Sequence, residues 1–167
     1  MEIRGSILFK EVLQFRSKWF WSLIVLLILA CAGIILWSAL SAKEKPRVIW
    51  IALSVFVTVI IAMLYLFYII RFEKIVSTEG VFYKWWPLQR SYWLISKTGI
   101  KKIELRNAPF LSYGFHFMPG YGRVHNVNPG KGIQFTLNNG KKIFLGTQKD
   151  SVFQAAIEKM TMASQKL

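Results

Sequence analysis

The chain has one cysteine, two histidines and eight acidic residues in 167. Each shortage closes off a class of chemistry. A single thiol, Cys31, cannot form an intramolecular disulfide. His116 and His125 fall in a Gly/Pro-rich stretch with no carboxylate nearby, so no metal constellation is expected; both should be solvent-facing or structurally hydrogen-bonded. Beyond residue 70 the acids are Glu73, Glu79, Glu104, Asp150 and Glu158. Glu104 alternates with the expected core residues Ile103 and Leu105 and should face solvent, and Glu158 belongs to a C-terminal helix. Neither is placed for general acid–base work. Gly130-Lys131 lacks the upstream glycine of a phosphate loop, and Gly132 stands where Ser or Thr should hold magnesium. No metal, cofactor or enzymatic activity is expected.

Apolar residues, at 54%, are what the chain has in excess, and they concentrate between Trp19 and Ile70. The run Trp19–Leu40 carries no charge and as a helix would extend roughly 33 Å, enough for a hydrocarbon core of about 30 Å. Its Leu, Ile, Phe and Val content corresponds to roughly −4 to −7 kcal/mol of apparent insertion free energy. Val48–Ile70 is richer still and also uncharged. A cleavable signal peptide is the rival for the first run, but signal apolar regions span only about 7–15 residues. Two membrane-spanning helices are therefore expected, over 19–40 and 48–70, joined by a short external loop, 41–47. Trp19, Trp21, Trp37 and Trp50 lie where interfacial belts belong. Ser54, Thr58 and Ala62 share one face of the second helix, either a close-packing seam or an ordinary small-residue stripe.

Residues 1–18 set Ile7, Leu8, Val12 and Phe15 against Arg4, Lys10, Glu11, Arg16 and Lys18. That spacing predicts an amphipathic cytoplasmic lead-in lying along the interface. Four basic residues precede the first span and three occupy the connection, while Arg71, Lys74, Lys84 and Arg90 follow the second. An even number of spans places both termini on one side, and the positive-inside rule makes that side cytoplasmic.

Residues 71–167 form the remaining domain, with fifteen Lys/Arg against five Asp/Glu. Turn signals at Gly80, Pro87, Gly99, Gly120, Gly130 and Gly140 separate β-favouring runs. Strands are predicted near 72–77, 81–86, 90–95, 102–107, 121–127, 132–138 and 141–146. Around Gly140 a two-residue turn would split the apolar set, whereas a three-residue loop, Asn138-Asn139-Gly140, pairs Phe135 with Ile143 and Ile133 with Leu145 and puts Gly140 in a left-handed conformation. A last helix would bury Phe153, Ala156, Ile157 and Met160 over an open end of the sheet, starting at a Thr147-x-x-Asp150 capping signal. About seven antiparallel strands closed by one C-terminal helix describe a pleckstrin-homology-like barrel.

The run from Gly120 to Lys149, GYGRVHNVNPGKGIQFTLNNGKKIFLGTQK, followed by a helix, resembles bacterial membrane proteins that carry such a domain. The opening Phe9, Glu11, Val12, Gln14, Phe15, Arg16, Trp19 and Trp21 are similar to one small family among them, of unknown function. The Gly146-Thr147-Gln148-Lys149 segment is the most specific part. The resemblance implies architecture and a bacterial cytoplasmic membrane, and carries no catalytic residues. Eukaryotic namesakes bind phosphoinositides through a dense basic pocket in the first hairpin; here that hairpin offers only Lys74 and Lys84 beside Trp85 and Trp86, so lipid specificity does not transfer.

Two surfaces are candidates. Arg71, Lys74, Lys84, Arg90, Lys101 and Lys102 would dock on anionic lipid, at roughly 1 kcal/mol for each basic residue close to the bilayer. Aromatic interleaving at Trp85, Trp86, Tyr92 and Trp93 could stack nucleic-acid bases, but a domain joined directly to a membrane meets lipid first, and no nucleic-acid partner is expected. The connection 107–128 carries Phe110, Tyr113, Phe115, Phe117 and Tyr121 among flexible glycines. It is either an exposed protein-contact patch or a further strand pair folded on the core. The expectation is a non-enzymatic membrane-anchored binding or scaffold module. An anionic-lipid-interacting module is the alternative, and a membrane enzyme with an unrecognised site ranks below both.

Overall fold

A computed structural model describes residues 3–16, 18–41, 46–108, 112–128 and 130–162. The chain forms two compact units: residues 15–69, and residues 1–14 together with 70–167.

The first unit is a helical pair, α1 (Lys18–Ser41) and α2 (Pro46–Ile69). Both are long and apolar enough to cross a membrane, and their bounds fall within two residues of the runs read from sequence. On α2, Leu53, Phe56, Ile60, Leu64 and Phe67 are half-buried and recur at helical spacing; on α1 the same is true of Trp21, Ile24, Ile28, Cys31 and Ile35. These are the facing stripes. Ser54, Thr58 and Ala62 are exposed, so they do not form the contact with α1. The hydroxyls of Ser54 and Thr58 donate instead to the carbonyls of Trp50 and Ser54, one turn back.

The second unit is mostly β. Strands β1 (Ile7–Gln14), β2 (Arg71–Ser77), β3 (Gly80–Trp86) and β4 (Trp93–Ser96) form an antiparallel meander. A single 3₁₀ turn at Lys97–Gly99 leads into β5 (Ile100–Asn107). With β6 (Gly114–Met118), β7 (Gly122–Asn126), β8 (Lys131–Leu137) and β9 (Lys142–Thr147) it makes a second sheet in the order β5-β8-β9-β7-β6. Helix α3 (Asp150–Met162) follows, burying Phe153, Ala156, Ile157 and Met160 as their spacing predicts. The closed, all-antiparallel barrel is not what is observed. The sheets have four and five strands and do not close, and β7 runs parallel to β9.

β1 corrects the lead-in over residues 1–18. Its buried positions are Phe9, Glu11 and Leu13, a strict period of two, while Ile7 and Val12 are exposed. Helical spacing groups Ile7, Leu8, Val12 and Phe15, whereas the strand buries Phe9 and Leu13 and turns Glu11 inward. Glu11 in fact sits opposite Lys74 of β2, and both side chains are buried. Lys74 Nζ lies 2.8 Å from Glu11 Oε2, donates to the Gly146 carbonyl, and stands 4.3 Å over the Phe153 ring. Thr147 Oγ1 donates to Glu11 Oε2 (2.7 Å) and the Gln148 amide to Oε1 (3.1 Å). Full hydrogen bonding of both charges is what makes their burial tolerable. Burial pushes the Lys74 ammonium down to about 8, against the pull of Glu11.

The Gly140 hairpin has the three-residue register. Ile133 pairs with Leu145 and Phe135 with Ile143, the Gly140 amide donates to the Leu137 carbonyl (2.9 Å), and Gly140 has φ +78°. Leu105 departs from expectation: on the edge strand β5 it is 43% exposed, and Glu104 beside it is half-buried.

Candidate functional site: an aromatic and basic cleft between the sheets

Register fixes which side of β6 and β7 faces the core. Phe115 pairs with His125, which lies beside Leu145 and, through β9, Ile133. Phe117 pairs with Arg123, beside Ile143 and then Phe135. Paired residues share a face, so Phe115, Phe117 and Arg123 continue the row that forms the core farther along the sheet. The opposing sheet covers only part of that row. His125 packs against Phe72, Tyr83 and Trp93, and Trp93 of the edge strand β4 meets Phe115 at a ring separation of 6.2 Å. Phe117, one pair farther out, is 74% exposed.

The uncovered end is a cleft of about 570 Å³. Tyr83, Trp93 and Leu94 form one wall; Phe117, Arg123 and Ile143 form the other, and the β8–β9 hairpin closes the rim with Asn139, Lys141 and Lys142. Gly122 lets β7 close against the start of β9, where the second wall meets the rim. At φ +75° its Cα lies against the Lys142 carbonyl, where a Cβ would sit 2.1 Å from that oxygen. Burial pushes the Tyr83 phenol up to about 12, with Arg123 pulling the other way, so Tyr83 is a neutral donor near neutral pH.

His125 is the floor beneath the aromatic cluster. It is fully buried, stacked between Phe72 and Phe115, and accepts the Trp85 Nε1–H at Nδ1 (3.0 Å). Its Nε2 has no hydrogen-bond partner among the described residues. Burial pushes its pKa down to about 3, and the charges of Arg123 and His116 add to this. It stays neutral near pH 7 and is poorly matched to proton transfer there. The arrangement suits binding.

Of the aromatic residues read from sequence, Phe117 lines the cleft and Phe115 lies beside it against Trp93 and His125; both are exposed. Phe110 lies outside the described residues. Tyr113 is half-buried. Tyr121 belongs to packing: its ring lies edge-on to Phe144 (5.7 Å) and under the Arg106 guanidinium (4.3 Å). The Pro119–Tyr121 turn folds back, with the Gly120 carbonyl accepting from Gln134 Nε2 and from Arg106. Of the two readings of 107–128, β6–β7 is thus a strand pair whose inward row runs out past its cover.

The basic set is largely spoken for. Lys74 is fully buried, which corrects its assignment to the surface. Arg71 and Lys84 converge on Glu73 (3.6 and 3.2 Å), and Tyr92 donates to the same carboxylate (2.8 Å). Burial acts to raise Glu73, but the bonds from Tyr92 and Lys84 and the charges of Lys84 and Arg71 outweigh it and hold it below the usual range. Arg71 also covers Trp86, and Lys84 covers Tyr92. Lys102 pairs with Glu104 (2.9 Å). Arg90 and Lys101 are exposed, with no ion pair among the described residues.

Sequence reasoning missed Tyr83, Arg123, Lys141 and Lys142, and noted Trp93 only for base stacking. An inward Arg123 two residues from His125 was the available signal, but reading it requires the β7–β9 pairing, which no local pattern encodes. Compared with known proteins, the chain matches no family model, no curated sequence and no solved structure.

Proposed function

We propose that this protein is a non-enzymatic, membrane-anchored binding module at the cytoplasmic face of a bacterial plasma membrane. Its β unit is a variant of the pleckstrin-homology-like type: a four-stranded meander, a second sheet extended by the β6–β7 hairpin, and a C-terminal helix.

The observation that carries this reading is the place of the two apolar helices in the chain. They interrupt the β unit, with β1 before them and β2 after them, and Gln14 is paired with Arg71 across the interruption. Three residues link β1 to α1 and one links α2 to β2. Helices tied this closely to one sheet must both leave and return on its side of a bilayer, and the basic flanks favour the cytoplasm. The exposed Phe115 and Phe117, on a hairpin outside the meander, supply the contact surface. Burying one such ring would contribute roughly 1.5–3 kcal/mol to a specific complex.

A photo-crosslinking amino acid at Phe117 of the full chain, irradiated in native membranes, tests the proposal. Discrete protein adducts are expected, lost in Phe115→Ser and absent when the probe replaces Arg90. Adducts to lipid alone, or none, would overturn it.

A further inference from the structure

Independently of a protein partner, we infer that the cleft between the sheets binds a small anionic ligand with a flat apolar body: a phosphate, sulfate or carboxylate carried on a ring.

Charge points this way first. Arg123, Lys141 and Lys142 line the cleft, no carboxylate does so, and none of the three has an ion pair among the described residues. The acid acting on this cluster is Glu104. Its carboxyl is hydrogen-bonded by Lys102 and held below the usual range, chiefly by that bond, with Arg106 and Lys142 adding. Glu104 therefore offsets Lys142 only in part. Gathered cations without counter-charge focus a positive field that an anion relieves.

Hydrogen-bonding capacity has the same sign. Arg123 brings a planar fork suited to oxyanions, and the lysines bring ammonium groups. Asn139 Oδ1 already accepts from the Lys141 amide (3.0 Å), leaving its NH₂ to donate. Tyr83 adds a neutral hydroxyl. The rim is thus rich in donors.

The walls call for something other than water. Trp93 stands edge-on to Tyr83 with centroids 5.4 Å apart, and Phe117 faces them largely bare. A ring seated here would cover both walls while its anionic group meets the rim. The volume, about 570 Å³, falls within the range of roughly 300–1,000 Å³ typical of small-molecule sites. The walls are held by backbone: the Gly122–Lys142 approach and the parallel pairing of Arg123 with Ile143 fix one side, and the pairing of Tyr83 with Trp93 fixes the other, before a ligand arrives.

The test uses the full chain in detergent micelles and 2-naphthyl phosphate as probe, by equilibrium dialysis against protein-free micelles. Inorganic phosphate and 2-naphthol are run in parallel. One saturable site is expected for 2-naphthyl phosphate, with affinity about tenfold or more above either fragment. Arg123→Gln and Lys142→Gln, both exposed positions, should each weaken it about tenfold, and Phe117→Ser by a similar factor. Arg90→Gln should leave it unchanged. Absence of saturable binding, or binding that Arg123→Gln and Lys142→Gln do not alter, would overturn the inference. Neither result bears on crosslinking through Phe117, so the two proposals fail separately.

Discussion

In Glu11→Ala the Lys74 ammonium keeps only the Gly146 carbonyl and the face of Phe153, while Thr147 Oγ1 and the Gln148 amide lose their acceptor. Removing one partner of a buried ion pair costs about 3–5 kcal/mol, because the remaining charge is uncompensated. For a unit of this size that corresponds to a fall in Tm of about 12–20 °C. The deficit should depend on pH in a defined direction. Lys74 has a folded pKa of about 8 against 10.5 in the unfolded chain, so between those values the unfolded state binds more protons and stability rises with pH. The Lys74 contribution is fully present above the unfolded value and lost as pH falls through about 8. Glu11 raises the folded value, so its removal starts the rise at lower pH. The gap between Glu11→Ala and the parent chain should be widest below that lowered value and narrow until about pH 8, above which the two profiles rise in parallel. Urea unfolding of the full chain in micelles, followed by tryptophan fluorescence, measures this. Lys74→Met should remove the pH-dependent part, and Glu11→Leu/Lys74→Met should cost less than the sum of the single changes. A deficit below about 1 kcal/mol at pH 7, or one that is flat with pH, would refute the argument.

Gly140→Val should destabilise the chain by more than about 1 kcal/mol in the same assay, through φ +78° alone, since a Cβ there meets nothing within 4 Å; Asn139→Ala should be milder. His125, with a folded pKa of about 3 against 6.5, gives stability present above pH 6.5 and lost as pH falls, so the acid limb of an unfolding profile should be shallower in His125→Phe. In a Cys31→Ser background, a cysteine at Ser41 should react with an impermeant thiol reagent in intact cells and one at Lys166 should not; the reverse would invert the orientation.

Legibility from sequence followed how far each pattern depended on distant pairing. The apolar helices, α3 and the Gly140 register were readable because length, period and turn chemistry are local. The strand β1 was not, because one inward carboxylate disguised its alternation, and the lysine that neutralises it lies beyond both helices. Lys74 itself read as a surface cation for the same reason: a charge inside a strand is assigned to solvent unless its partner is known. β6 was visible as aromatic density that fitted either a contact patch or a strand pair. Its alternation, Phe115 and Phe117 against His116, becomes informative only when β7 is set beside β9, a parallel pairing between non-consecutive strands. The cleft went unread because its walls come from β3–β4 and β6–β7, brought together with the β8–β9 hairpin only by tertiary packing.

The interruption of the β unit also sets an order of assembly. During synthesis β1 is made first and must wait for 15–70 to be made before β2 exists to receive it. The Thr147 and Gln148 groups that complete the Glu11 site come 136 and 137 residues later, on the order of ten seconds at typical elongation rates. In that interval the strand has no sheet, and a loop of 56 residues must close for the first pairing. A helical hairpin formed beforehand removes most of that closure entropy by bringing its two ends together. Paired helices then act as a clip that brings β1 to β2, and until they do Lys74 lacks its carboxylate.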